Sequence, residues 1–146
     1  MNEELEKMVL PGKFVIAGAA QGRVLHSGEP LSFWGGYDYQ TGEIIDRRHP
    51  LSGQVAAGRI LCLPSTRGSS TTTAVLLEAV KAGTAPAAIV TTGVDTFFAL
   101  ASIVADELYH LPIPLVVLAQ EDFARLHTGQ WVEIWDDAAV VALFPA

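Results

Sequence analysis

Between residues 59 and 118 this 146-residue chain alternates short apolar blocks with longer amphipathic ones, and that alternation limits the fold more than any other feature. Residues 59–63 (Arg-Ile-Leu-Cys-Leu) make an almost continuous apolar run of strand length. A loop at 64–69 follows, then a helical pattern over 70–82 that stops at Gly83, since glycine commonly closes a helix. Residues 86–91 read as the next strand, and 96–109 as a second helix with Asp95 as its cap. Residues 113–118 read as the strand after that. Strands separated by helices favour parallel pairing with helical crossovers.

The flanks read differently. Residues 13–18 and 22–26 are short strands around a turn, followed by a glycine-hinged aromatic loop at 32–38 and another brief strand at 43–46. Near the end, 129–137 and 138–144 read as two strands joined by a tight acidic turn. Residues 1–11 are set aside as an N-terminal extension. The expectation is a single α/β domain of mixed sheets over 1–146, its strand order open, built round a strand-loop-helix unit.

Half of the residues are apolar and 17% are charged, which suits a compact core and argues against extended disorder. The net charge of −7, with scattered basic residues, excludes the footprint of a nucleic-acid binder. The acidic start is not followed by a signal-peptide core. Asp95, Asp106 and Pro112 break the richest apolar stretches before they reach the roughly 20 residues a membrane helix needs. These observations point to a cytoplasmic chain with no membrane partner. The single cysteine, Cys62, excludes an internal disulfide and cannot assemble an iron–sulfur or structural zinc site within one chain. Its apolar surroundings mark it as an inert core thiol.

Chemistry concentrates in Pro64-Ser65-Thr66-Arg67-Gly68-Ser69-Ser70-Thr71-Thr72-Thr73, where hydroxyls and one arginine crowd the junction of a buried strand and a helix start. The first amides of a helix lack intrahelical partners and the dipole is positive there, so an anion is favoured. Arg67 adds a fork for carboxylate or phosphate. Gly68 lets the backbone approach a ligand closely. A structural reading is equally available, with Ser69 or Ser70 as a plain N-cap. The endings of a Walker A loop and of a Gly-x-Ser-x-Gly elbow are both missing. Local physics therefore gives an anion-binding serine loop and no more.

The charged residues of Asp46-Arg47-Arg48-His49-Pro50-Leu51 suit an exposed turn, in which His49 could bind substrate or orient a partner group. His26, His110 and His127 are isolated and lack metal-ligand spacing. Trp131 and Trp135 read as core or interface aromatics.

Four blocks, Leu31-Ser32-Phe33-Trp34-Gly35-Gly36, Thr41-Gly42-Glu43-Ile44-Ile45-Asp46, His49-Pro50-Leu51-Ser52-Gly53 and Leu63-Pro64-Ser65-Thr66-Arg67-Gly68-Ser69-Ser70, resemble in order and spacing the small subunit, or swivelling domain, of the aconitase X family. The resemblance runs from about Gly12 to the Pro112 region. It implies a β/β/α swivelling domain and a hydro-lyase whose large part carries an iron–sulfur centre. Ser69 would be the proton acceptor, with Arg67, Gly68, Ser70 and His49 binding a small carboxylate substrate. The activities known in the family are dehydration of cis-3-hydroxy-L-proline and of phosphomevalonate, and this serine loop looks more like the hydroxyproline form. The implied chain binds no cofactor of its own and is inactive without its large subunit. A reading from another class is a non-catalytic anion-binding or regulatory module. A phosphohistidine carrier would need a histidine in the serine loop, and there is none.

Overall fold

The computed structural model describes residues 5–68 and 71–145. Among these residues eight strands and three helices follow in the order β1 (Leu5–Leu10), β2 (Gly12–Ile16), β3 (Ala20–His26), β4 (Ile60–Cys62), α1 (Thr71–Ala82), β5 (Ala88–Thr91), α2 (Thr96–Tyr109), β6 (Leu115–Leu118), α3 (Gln120–Phe123), β7 (Trp131–Ile134) and β8 (Val140–Pro145). Their order in the sheet is β1-β8-β7-β3-β4-β5-β6-β2. Strands β3, β4, β5 and β6 are parallel, as the alternation of the central segment requires, with α1 and α2 as the last two crossovers. Antiparallel pairs flank them on both sides.

Strands β1 and β2 are the two ends of the sheet order, yet only Pro11 separates them in the chain. One residue cannot span an open eight-stranded sheet, so the sheet bends back far enough to bring the end of β1 and the start of β2 together at Pro11. Gly12 stands at that corner. A Cβ there would lie 2.5 Å from the Ala138 carbonyl oxygen and 2.6 Å from Val116 Cγ1, so only glycine fits.

The central strands bury both faces, as parallel strands do. Leu25, Leu61 and Ile89 point into one core, against Leu76 and Ala79 of α1 and Phe98 and Ala101 of α2. Val24, Ile60, Cys62 and Val90 point the other way, against Val132, Ile134, Val140 and Ala142 of the antiparallel half. The result is a β/β/α arrangement of layers. Cys62 is fully buried and burial pushes its thiol far above the ordinary range. In the native chain it should resist an aromatic disulfide reagent and react stoichiometrically only in denaturant; rapid labelling of folded protein would contradict the burial.

Three segments depart from the sequence expectation. Residues 5–10, expected within an N-terminal extension, form β1, paired with β8 along six register positions. Residues 43–46, expected as a strand, make only isolated bridges, Tyr37 with Ile44 and Glu43 with Val55. They lie in the long crossover from β3 to β4, which is organised by side chains. Phe33 stacks on Tyr37 at 5.2 Å and meets Phe98 edge-on at 5.5 Å, while the Tyr37 hydroxyl donates to the Thr84 carbonyl at 2.7 Å. The crossover thus caps the helix-side core without a helix. The short helix α3 was not expected, and it seats Phe123 in the sheet-side core.

Candidate anion site at the serine loop

The loops leaving the carboxyl ends of β3, β4 and β5 converge, which is where α/β sheets hold ligands. Leu31, after β3, bridges Thr66, after β4, in parallel register, and the Arg67 amide donates to the Leu31 carbonyl at 3.0 Å. From the loop after β5, Asp95 reaches the same point. Its Oδ2 accepts from both the Thr66 amide and the Thr66 hydroxyl, each at 2.8 Å. Its Oδ1 accepts from the Phe97 and Phe98 amides at 3.0 and 3.1 Å, so the one carboxylate caps α2 and holds the serine loop. Sequence reading gave Asp95 the cap alone. Thr66 is 29 residues away along the chain, and no local pattern signals that contact.

Beyond Thr66 the chain turns outward. Arg67 and Gly68 are exposed, and Gly68 has φ of +85°, a left-handed conformation that favours glycine. Ser69 and Ser70 lie outside the described residues. Helix α1 runs from Thr71, and the Thr73 hydroxyl donates to the Phe97 carbonyl at 3.2 Å, tying its first turn to that of α2.

Beside Arg67 lies a polar cavity of about 430 Å³. Glu29 and Ser32 line it from the β3 crossover, and Asp46, Arg47, Arg48 and His49 from the turn. The structure thus brings His49 and Arg67, two of the residues singled out in the sequence, to one cavity. The turn is exposed at Arg47 and Arg48, as expected, but His49 is only 6% exposed. Its Nδ1 accepts from the Leu51 amide at 3.1 Å, which leaves Nε2 to donate to the Glu29 carbonyl at 3.2 Å. Both ring nitrogens are therefore engaged by main chain, and the imidazole ties one wall of the cavity to the other. Arg47 and Arg48 were legible only as a charged turn; the cavity they share with Arg67 depends on tertiary packing.

The remaining histidines stand apart from this site. His26 Nε2 lies 3.0 Å from the Phe123 carbonyl, and burial lowers its pKa. His110 closes α2 in the left-handed region with φ of 54°, and His127 is exposed. Among the described residues no group of three or more His, Cys, Asp or Glu could hold a metal ion. No helix among them is long and apolar enough to cross a membrane. Trp131 lies under the Arg23 guanidinium at 5.6 Å, and Trp135 is 41% exposed, its Nε1 donating to Glu133 at 3.2 Å.

Fold and site together define a β/β/α domain of the swivelling type that holds Thr66 and the Arg67 amide at the ends of its parallel strands. The sequence model of the aconitase X swivel domain matches residues 9–143. This chain belongs to that family. A cis-3-hydroxy-L-proline dehydratase of Pseudomonas aeruginosa is 43% identical over 88% of the chain, and the match covers 22% of that relative. A cis-3-hydroxy-L-proline dehydratase of Hypocrea jecorina is 40% identical over 84% of the chain. The chain thus spans about a fifth of the length of these two relatives. The phosphomevalonate dehydratase small subunit of Thermococcus gammatolerans is 37% identical, with 92% of this chain and 96% of that one covered. The crystal structure of Thermococcus kodakaraensis aconitase X superposes with a TM-score of 0.81 at 33% identity, over 94% of this chain and 98% of the other.

Proposed function

We propose that this chain is the swivelling subunit of a two-part hydro-lyase, with Ser69 as proton acceptor and a larger partner completing the site. The observation that carries this reading is the junction of three strand-end loops, where Asp95 and Leu31 hold Thr66 and Arg67 beside an arginine-lined cavity. Relatives sharing most of this chain bear the names of dehydratases. Dehydration needs a base to take a carbon-bound proton beside an acidifying group and a Lewis acid to help hydroxide leave. Serine is a weak base unless donors steady its alkoxide. Amide donors at the start of a helix and a nearby guanidinium can do that in a closed, dry site.

The residues of this chain do not fit an iron–sulfur centre, since its one thiol is buried in the core. The metal half therefore falls to the larger chain in this reading. The substrate favoured is cis-3-hydroxy-L-proline, the compound for which the first two relatives are named. One observation favours phosphomevalonate instead: three arginines at one cavity suit a dianionic phosphate.

The test is to co-express the chain with an aconitase X large subunit, purify through a tag on the larger chain, and follow consumption of both substrates. Co-elution with activity in the pair and in neither half alone is the expected outcome. A chain that binds anions but pairs with no large subunit would favour a non-catalytic binding module.

A further inference from the structure

We infer that the Asp46–His49 turn is a second anion-recognition element, with Arg47 and Arg48 closing from one side on a ligand oxyanion that Arg67 meets from the other. Three of the six arginines in a chain of net charge −7 line this one cavity. Among the described residues no carboxylate lies within ion-pair distance of any of the three; the one ion pair found, Arg125 with Asp122 at 3.8 Å, is elsewhere. The two acids at the cavity, Glu29 and Asp46, leave the lining with an excess of one positive charge. Asp46 Oδ1 also accepts from the Arg48 amide at 3.0 Å, so this carboxylate shapes the turn that carries the arginines.

The turn is built to stay in place. The His49 amide donates to the Asp46 carbonyl at 3.1 Å and the Ser52 amide to the His49 carbonyl at 3.0 Å. The buried His49 ring links Leu51 to Glu29, fixing the turn against the wall that carries Ser32 and Arg67. Arginines on a fixed turn lose less freedom on binding than arginines on a mobile one, and a guanidinium fork matches carboxylate and phosphate oxygens alike. The cavity is of a size that takes a small ligand. The ligand class is accordingly a small acid with a carboxylate or phosphate group. As part of a substrate site this inference rests on the dehydratase reading; as an anion site it stands without it.

The experiment separates the two. Amide chemical shifts of the full isotope-labelled chain, alone, are followed on adding inorganic phosphate and, separately, acetate, with chloride matching the ionic strength. Saturable shifts are expected at residues 29, 31, 32, 46–49 and 66–68. The double variant Arg47→Ala/Arg48→Ala should weaken binding by about tenfold or more, as loss of a charged hydrogen-bond partner does, with the rest of its spectrum unchanged. Tighter saturation by phosphate assigns a phosphate-bearing ligand, and tighter saturation by acetate a carboxylate. Shifts no larger than those with chloride, or equal binding by the double variant, would overturn the inference. So would unchanged binding in Arg47→Gln/Arg48→Gln, the control if the alanine pair unfolds. None of these readouts requires the partner, so failure here leaves the dehydratase reading intact, and failure to pair leaves this one.

Discussion

Ser69→Ala in the assembled pair should lower the turnover number for dehydration by about 10²- to 10⁴-fold, the range a positioned general base contributes. The change removes one oxygen and leaves Arg67, the cavity and the body of the domain as they are, so substrate affinity and co-elution with the larger chain should be retained. That split matters because the loop has two possible duties. If Ser69 only caps α1, alanine would cost roughly 0.5–2 kcal/mol of stability and little rate. If it takes the proton, stability would barely change and rate would collapse. The decisive measurement combines steady-state kinetics of the variant pair with the chemical denaturation midpoint of the variant chain. A turnover number within a fewfold of the parent, in protein confirmed as paired, would remove Ser69 from the proton step.

How far the sequence foretold this arrangement depends on the range of the interactions involved. The strand-loop-helix unit was legible because each of its parts is local: an apolar run, a glycine-bearing turn and a helical period closed by Gly83. Helix α2 was expected over 96–109 with Asp95 as its cap, and stands there. Strand β1 was not foreseen because its pairing partner, β8, lies at the other end of the chain. The order of the sheet was closed to sequence reading for the same reason, and the corner at Gly12 becomes visible only when Ala138 and Val116 are seen to enclose it. Residues 43–46 have the composition of a strand but lie in a crossover held by the packing of Phe33 and Tyr37, so tertiary packing overrode propensity. The candidate site divides along the same line. Arg67 and Gly68 stand out from their neighbours in the chain, whereas the cavity joining Arg67 to Arg47 and Arg48 arises from three loops separated in sequence.

The second large effect is expected at Asp95, and a pair of substitutions there separates its two tasks. Asp95→Ala deletes the cap of α2 and both bonds to Thr66 at once. Cap loss costs about 1 kcal/mol, and losing a charged acceptor from a part-buried donor costs about 1.5–3 kcal/mol. A total of roughly 2–4 kcal/mol in a domain of this size corresponds to a fall in melting midpoint of roughly 5–15 °C. Asp95→Asn is the sharper probe. Its amide oxygen can still serve the Phe97 and Phe98 amides, so α2 keeps its cap. Its NH₂ then faces the Thr66 amide, donor against donor, and only the Thr66 hydroxyl can turn to accept. The loop before Arg67 and Gly68 is thereby released while the domain stays folded. In the assembled pair the asparagine variant should melt within a few degrees of the parent yet lose about tenfold or more in kcat, because reacting groups held about 1 Å out of place forfeit rate on that scale. Thr66→Val, which deletes the hydroxyl and keeps the amide bond to Asp95, should fall between the asparagine variant and the parent. Parent-like kcat in Asp95→Asn would mean that the carboxylate serves α2 alone, and that the serine loop takes its position from Leu31 and the partner instead.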